Sequence, residues 1–145
     1  MKNLLTFEKY QSIIPTDQIR TVKDYVNSGC FGILSAFKDD RTFEENEDRS
    51  FELKSVLKDA NYNPIKIIGQ YDSDSNETSY IVEKPDSMTN EEFEDSLAEF
   101  AQDFEQESFL FSRDGDVILI FADGKIKDVS DTFKIDDTYV SFTFD

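Results

Sequence analysis

TNEEFEDSLAEFAQDFEQESFLF, residues 89–111, holds the change of period from which the fold is read. Thr89 and Glu92 have capping-box spacing, in which each side chain satisfies the backbone N–H of the other residue. Phe93, Leu97, Phe100, Ala101 and Phe104 follow at i, i+4, i+7, i+8 and i+11, a single apolar stripe on a helix. Beyond it the period shortens, and ESFLF (107–111) reads as a strand. Downstream, Arg113-Asp114-Gly115-Asp116 makes a tight turn into a strand, VILIFA (117–122). Asp123-Gly124 turns into another strand from Lys125 to Val129, and YVSFTF (139–144) closes the chain in strict alternation. Upstream, CFGILSAF (30–37) is apolar almost throughout, as a central strand covered on both faces would be. A helix is predicted from about Glu44 to Ala60, with Leu53, Val56, Leu57 and Ala60 at helical spacing and Asn61 as terminator. PIKIIGQY (64–71) and TSYIVEK (78–84) form a hairpin around the turn DSDSNE (72–77).

The order over residues 30–111 is β-α-β-β-α-β, that of a split βαβ or ferredoxin-like core. The predicted class is α+β, with both long helices on one face of a mainly antiparallel sheet. Residues 1–29 add an arm ending near Pro15 and a short helix from Asp17 to Asn27; residues 112–145 add C-terminal hairpin strands. One domain, 1–145, is expected for a chain of 16.8 kDa.

Composition limits partners more firmly than chemistry. The 145 residues carry 32 acidic and 15 basic side chains, a net charge of −17, with no His and no Trp. A field of this sign repels nucleic acid and anionic membrane and attracts basic surfaces. Solubility, adaptation to high salt and a basic partner each account for it. The 14 Phe and 6 Tyr predict an aromatic core rather than a disordered acidic tail. No apolar run has membrane-spanning length, and MKNLLTFEKYQSIIP is too polar for a secretory signal, so the expected location is cytoplasmic, or the virion if the chain is phage-encoded. Cys30, the sole cysteine, reads as a small buried hydrophobe.

In a split βαβ sheet one edge gathers the end of the first strand, the start of the first long helix, the turn of the hairpin and the start of the fourth strand. Uncommon polar residues occupy those positions: Ser35; Glu45, Asn46 and Arg49; Gln70 and Tyr71; Glu77 and Ser79; Gln106, Glu107 and Ser108. Arg49 is one of four arginines in an acid-dominated chain, placed to organise carboxylates or to hold an anion bidentately. The same groups also read as caps, an exposed helical pair and solvated strand ends.

Without His there is no His-based zinc site and no Ser-His-Asp or Cys-His machinery. Phosphate-loop and dinucleotide fingerprints are absent. Asp72, Asp74 and Asn76 alternate as calcium ligands do but lack the rest of an EF-hand. No resident cofactor is expected, Mg²⁺ or Ca²⁺ being the ions such carboxylates would take. Between Lys84 and Arg113 every charged side chain is acidic, and Glu92, Asp95, Glu99 and Asp103 recur at helical spacing. Like charges one turn apart cost helix stability. A rigid carboxylate row imitates the phosphate track of DNA, although a solvated face is the commoner reason for such a run.

GILSAF (32–37), ENEDRSFELKSVLKDANY (45–62), IIGQY (67–71), ETSYIVE (77–83), QESFLF (106–111) and VILIFADG (117–124) resemble a small family of uncharacterised domains of bacteria and tailed phages. Its pattern is Ser-Ala-aromatic, Asn-x-x-Arg, Gly-x-Tyr, Glu-x-Ser and Gln-(Glu/Asp)-Ser, here Ser35, Asn46, Arg49, Gly69, Tyr71, Glu77, Ser79, Gln106, Glu107 and Ser108. The basic residue that follows the first motif is Lys38. The resemblance implies a phage or mobile-element origin and supports the polar edge, but implies no activity. From sequence, the leading expectation is a non-enzymatic acidic protein whose Glu92–Asp103 face binds a basic surface of a DNA-handling or host-defence protein as a DNA mimic. Direct nucleic-acid or membrane binding is not expected. A virion-associated structural protein is the second reading, and a carboxylate/Mg²⁺ hydrolase at Glu45, Arg49, Glu77 and Glu107 is the third.

Overall fold

A computed structural model describes residues 20–71, 76–136 and 138–143. The expected N-terminal arm, residues 17–19 of the expected first helix and the Asp72–Asp74 turn lie outside these residues. Arg20 and Thr21, expected within that helix, are not helical; it begins at Val22 because Thr21 is an extended N-cap. Three helices and eight strands are described: α1 Val22–Asn27, β1 Phe31–Ser35, α2 Phe43–Asp59, β2 Ile65–Tyr71, β3 Glu77–Glu83, α3 Asn90–Asp103, β4 Ser108–Arg113, β5 Asp116–Phe121, β6 Ile126–Asp128, β7 Lys134–Asp136 and β8 Tyr139–Phe142. The class is α+β, as the periodicities indicate. No helix among the described residues is long and apolar enough to cross a membrane.

All strands join one sheet in the order β6-β5-β4-β1-β3-β2-β8-β7. Neighbours are antiparallel except β2 and β8, which run parallel with Ile68 beside Tyr139 and Tyr71 beside Phe142. The C-terminal strands therefore divide. β5 and β6 extend one side of the sheet, whereas β7 and β8 cross to the other. Alternation in YVSFTF predicts a strand but carries no information about its neighbour, and the three-residue β7 is too short to leave a periodic trace.

Local chemistry accounts for the helices. Thr21, Thr42 and Thr89 each accept from the N3 backbone N–H, and Asp24, Glu45 and Glu92 return the bond, closing three capping boxes. Asn61 takes the left-handed conformation just after α2 (φ 71°), and the Tyr62 N–H reaches the Leu57 carbonyl at 3.0 Å, a C-terminal stop of the predicted kind. In the β4–β5 hairpin, Asp114 and Gly115 both have positive φ (51° and 88°), as a two-residue turn matched to strand twist requires.

The two faces of the sheet are covered differently. Leu53 and Leu57 of α2 and Phe93, Leu97 and Ala101 of α3 pack against Leu34, Tyr80, Val82, Phe109 and Phe111 on one face. Phe93 stacks at a tilt on Phe111, centroids 5.5 Å apart. On the other face α1 supplies Val22 and Tyr25, and the C-terminal segment supplies Val129. These cover Phe31, Ile33, Ile81, Leu110 and Leu119 near one end of the strands. Cys30, read as buried, is only half-buried just before β1, its Sγ 4.0 Å from Asn90 Oδ1.

Gly32 sets how closely α3 approaches β1. A Cβ there would lie 2.2 Å from Leu97 Cδ1 and 3.3 Å from the Leu110 carbonyl oxygen, and Leu97 is fully buried, so its side chain must shift within a packed core. Gly32→Ala is therefore expected to destabilise the fold by about 1–3 kcal/mol. The urea midpoint measures this, and Leu97→Val in the same chain should restore part of the loss.

Candidate active site

The sheet face opposite the long helices is apolar along one row and polar along the next. Ile33 lies beside Ile81 and Leu110, and Leu110 beside Leu119, making an aliphatic row across four strands. One step along the strands, Ser35 lies beside Ser79, with Ser108 on β4 opposite Phe121. Because side chains two apart share a face, Glu77 also projects to this side. A concavity of about 500 Å³ opens over these residues. Ile33, Leu110, Leu119, Phe121 and Phe142 form its apolar part, and Phe37, Lys38, Asp39, Asp40, Glu105, Gln106 and Glu107 complete the lining.

Glu77 is the most constrained carboxylate there. Ser35 Oγ donates to Glu77 Oε2 and also lies 3.2 Å from the Thr78 carbonyl, while the Phe37 N–H donates to Ser35 Oγ at 3.1 Å. Burial raises the Glu77 pKa above the ordinary glutamate value, the Ser35 bond opposes that rise, and the nearby Asp39 charge adds to it. At the rim, Lys38 Nζ pairs with Glu105 Oε1 at 3.1 Å, and this bond holds the exposed Glu105 below its usual carboxylate range.

The polar residues read from sequence separate into two groups. Ser35, Glu77, Ser79, Gln106, Glu107 and Ser108 line the concavity. Asn46 and Arg49 do not; they hold the segment that leaves β1. Asn46 Oδ1 accepts from the Lys38 N–H at 2.9 Å, and Asn46 Nδ2 donates to the Lys38 carbonyl at 3.1 Å. Arg49 Nε donates to the Ala36 carbonyl at 2.7 Å and Nη2 to the Phe104 carbonyl. Gln106 Nε2 donates to the Phe37 carbonyl at 3.0 Å and to that of Phe104 at 3.2 Å. Residues 36–38 thus each have a carbonyl bound by a side chain. Arg49 was expected to organise carboxylates or hold an anion; its donors are instead directed at the main-chain carbonyls of Ala36 and Phe104.

Glu45 is a helix cap, accepting from the Thr42 N–H at 2.9 Å, and that bond lowers its pKa. It does not join Glu77 and Glu107, so the carboxylate/Mg²⁺ hydrolase loses one of its expected ligands. Among the described residues no group of three or more acidic, His or Cys side chains is placed to hold a metal. Gln70 bonds Asn76 at 2.8 Å, and the Tyr71 side chain lies outside what is described. Phe37, Asp39, Asp40, Glu105, Phe121 and Phe142 were not anticipated in the lining. Their signal was weak: Phe121 and Phe142 read as ordinary strand positions, and Asp39, Asp40 and Glu105 as loop charges.

The fold and the concavity define a small α+β domain with a ligand-sized recess on one sheet face, apolar in its wall and acidic at its rim. Residues 32–143 match the S-adenosylmethionine lyase family, and the chain belongs to that family. No curated protein matches the sequence. Membership overturns the leading expectation of a non-enzymatic DNA mimic with an anti-defence role, and gives no support to the virion or hydrolase alternatives. The physical source of the error is that a carboxylate row reads the same whether it meets a partner or water. On α3, Glu92 closes a capping box with Thr89, and the neighbouring Glu94 pairs with Arg113 at 2.6 Å. Glu92, Asp95, Glu99 and Asp103 are exposed, as solvated helix residues are.

Two outcomes follow from this geometry. Arg49→Met removes donors from two carbonyls and should cost about 1–3 kcal/mol, measured by urea unfolding. Glu77→Gln should change the pH dependence of stability. A carboxyl with a raised folded pKa binds its proton more tightly when folded, so its contribution is complete below the unfolded pKa and is lost as pH rises through the folded one. The melting temperature of Glu77→Gln relative to the parent should therefore increase between about pH 4 and pH 7.

Proposed function

We propose that this chain cleaves a carbon–sulfur bond of S-adenosylmethionine in the recess over β1, β3 and β4. The observation that carries the reading is Glu77, anchored by Ser35 in a cleft with apolar walls and an acidic rim, within the region that matches the lyase family. The substrate bears a sulfonium, an ammonium and a carboxylate, a net charge of +1 that suits a chain of net charge −17. We also read the four central strands and two long helices as a split βαβ core, supported by the order β4-β1-β3-β2 with antiparallel neighbours.

A lyase splits its substrate without water or a redox partner. In S-adenosylmethionine the aminobutyrate chain holds a nucleophile at the distance needed to close a five-membered ring. One carboxylate oxygen bonds to Cγ, the Cγ–S bond breaks with its electron pair going to sulfur, and no proton moves. The products are 5′-methylthioadenosine and homoserine lactone. Elimination would need a base strong enough to remove an unactivated Cβ proton, which a carboxylate is not. Ring closure joins opposite charges, so its transition state is less charged than the ground state and gains from leaving water for the aliphatic and aromatic wall.

This assigns distinct roles. Ile33, Leu110, Leu119, Phe121 and Phe142 supply the dry wall. Glu77 binds the ammonium, whose charge is unchanged during reaction. Placed against the sulfonium it would favour the ground state and slow the chemistry. Holding the ammonium restricts the chain to conformers in which the carboxylate faces Cγ. Ser35 fixes the Glu77 carboxylate, while Ser79, Ser108, Gln106 and Glu107 border the substrate.

The test is incubation with S-adenosylmethionine in ¹⁸O-water, with products identified by mass spectrometry. Equimolar 5′-methylthioadenosine and lactone, with no ¹⁸O on Cγ, are expected. Absence of turnover, or water oxygen on Cγ, would overturn the reading. Glu77→Gln should lower kcat/KM by about 10²-fold. In the parent, activity should fall on the acid side at a higher pH than an ordinary glutamate would impose, because burial raises the Glu77 pKa.

A further inference from the structure

The recess is lined by several carboxylates but, among the described residues, by one cationic side chain, Lys38. Resting on the lyase reading above, we propose that Lys38 is the residue that recognises the substrate's carboxylate, exchanging its bond to Glu105 for one to the ligand. A cleft rimmed by Asp39, Asp40, Glu105 and Glu107 attracts any small cation and gives no reason to prefer one that also bears an anionic group. Lys38 gives that reason, since an ammonium at a fixed point in such a cleft favours the zwitterionic aminobutyrate end over an amine of the same size.

The root of the side chain is held unusually well for a loop lysine. Asn46 binds both the N–H and the carbonyl of Lys38, and the carbonyls of Ala36 and Phe37 are held by Arg49 and Gln106. The head, by contrast, is held by a partner that is readily exchanged. Glu105 is 60% exposed, and an ion pair at that exposure contributes little to stability. Glu105 also has left-handed backbone (φ 57°) in the turn that ends α3, where the Gln106 N–H reaches the Ala101 carbonyl at 2.9 Å. That conformation, uncommon for a residue with a Cβ, presents its carboxylate at the rim opposite Lys38. In the free protein Glu105 acts as a stand-in for the substrate carboxylate: it keeps the ammonium at the recess and yields to the ligand. Lys38 is accordingly a specificity-determining residue, and Glu105 a competitor for it.

Steady-state kinetics on the full-length chain test this, with decarboxylated S-adenosylmethionine as a competitive inhibitor. That compound retains the sulfonium and the amine but lacks the carboxylate. Lys38→Gln is expected to raise KM for S-adenosylmethionine about 10-fold or more without lowering kcat, since a cation on the attacking carboxylate stabilises the ground state, and to leave Ki for the decarboxylated compound unchanged or lower it. Lys38→Arg should restore most of the KM, and Glu105→Gln should lower it. An unchanged KM in Lys38→Gln, or an equal rise in KM and Ki, would overturn the assignment while leaving the lyase reading intact. If the parent neither turns over S-adenosylmethionine nor binds it, both readings fall together.

Discussion

The carbonyl oxygen of Phe104 is the point on which the site depends. It is the C-cap of α3, and it accepts from both Arg49 of α2 and Gln106 at the approach to β4. The same two side chains hold the carbonyls of Ala36 and Phe37 as the chain leaves β1. Both long helices and the end of β1 are thereby fixed to one another through main-chain acceptors. Leaving a buried acceptor with no donor costs more than the bond itself contributes, because the acceptor stays desolvated with nothing in return. The recess lies on the other side of this knot, and the positions of Ser35, Phe37 and Lys38 are set by it.

The helices were legible because their signals are local. The Thr89–Glu92 capping box and the Phe stripe of α3 need no tertiary information to be recognised, whereas the equivalent boxes at Thr21 and Thr42 were passed over. The strand order was partly legible from connection lengths, but the crossing of β7 and β8 to the far side of β2 was not, since hydrophobic alternation fixes a strand's faces and not its neighbours. The polar positions of the site were visible as unusual residues at strand ends. What sequence could not resolve was which of them point toward the helices. Ser35 alternates with Leu34 and Ala36, so it must face away from them, but only once it is known which face α2 and α3 cover. The same ambiguity made Asn46 and Arg49 look like members of the site when they are its supports. The acidic composition was read as a preference for a basic protein surface, and the family match overturns that reading.

A site of this kind works under opposing electrostatic demands. For the proposed cleavage its rim has to be acidic enough to concentrate a cationic substrate against a screened field, while its floor has to be dry enough to favour the loss of charge in reaction. The sheet separates the two by register. The row through Ile33, Ile81, Leu110 and Leu119 is aliphatic, and the row one step on carries the hydroxyls and Glu77. A two-residue displacement along a strand is therefore the distance between nonpolar wall and charged rim. Glu77 sits at that boundary, buried enough to be perturbed and close enough to Ser35 to be held.

Among the described residues, both ends of the eight-stranded sheet finish in three-residue strands, β6 on one side and β7 on the other. Each places a charged residue at its centre or flanks: Lys127 and Asp128 in β6, Lys134 and Asp136 in β7. A sheet this wide would ordinarily offer long rows of free amides and carbonyls to any passing strand. Here the outermost rows are too short and too polar to template another chain. Lengthening β6 or β7 with alternating apolar residues would remove that protection before it altered the recess.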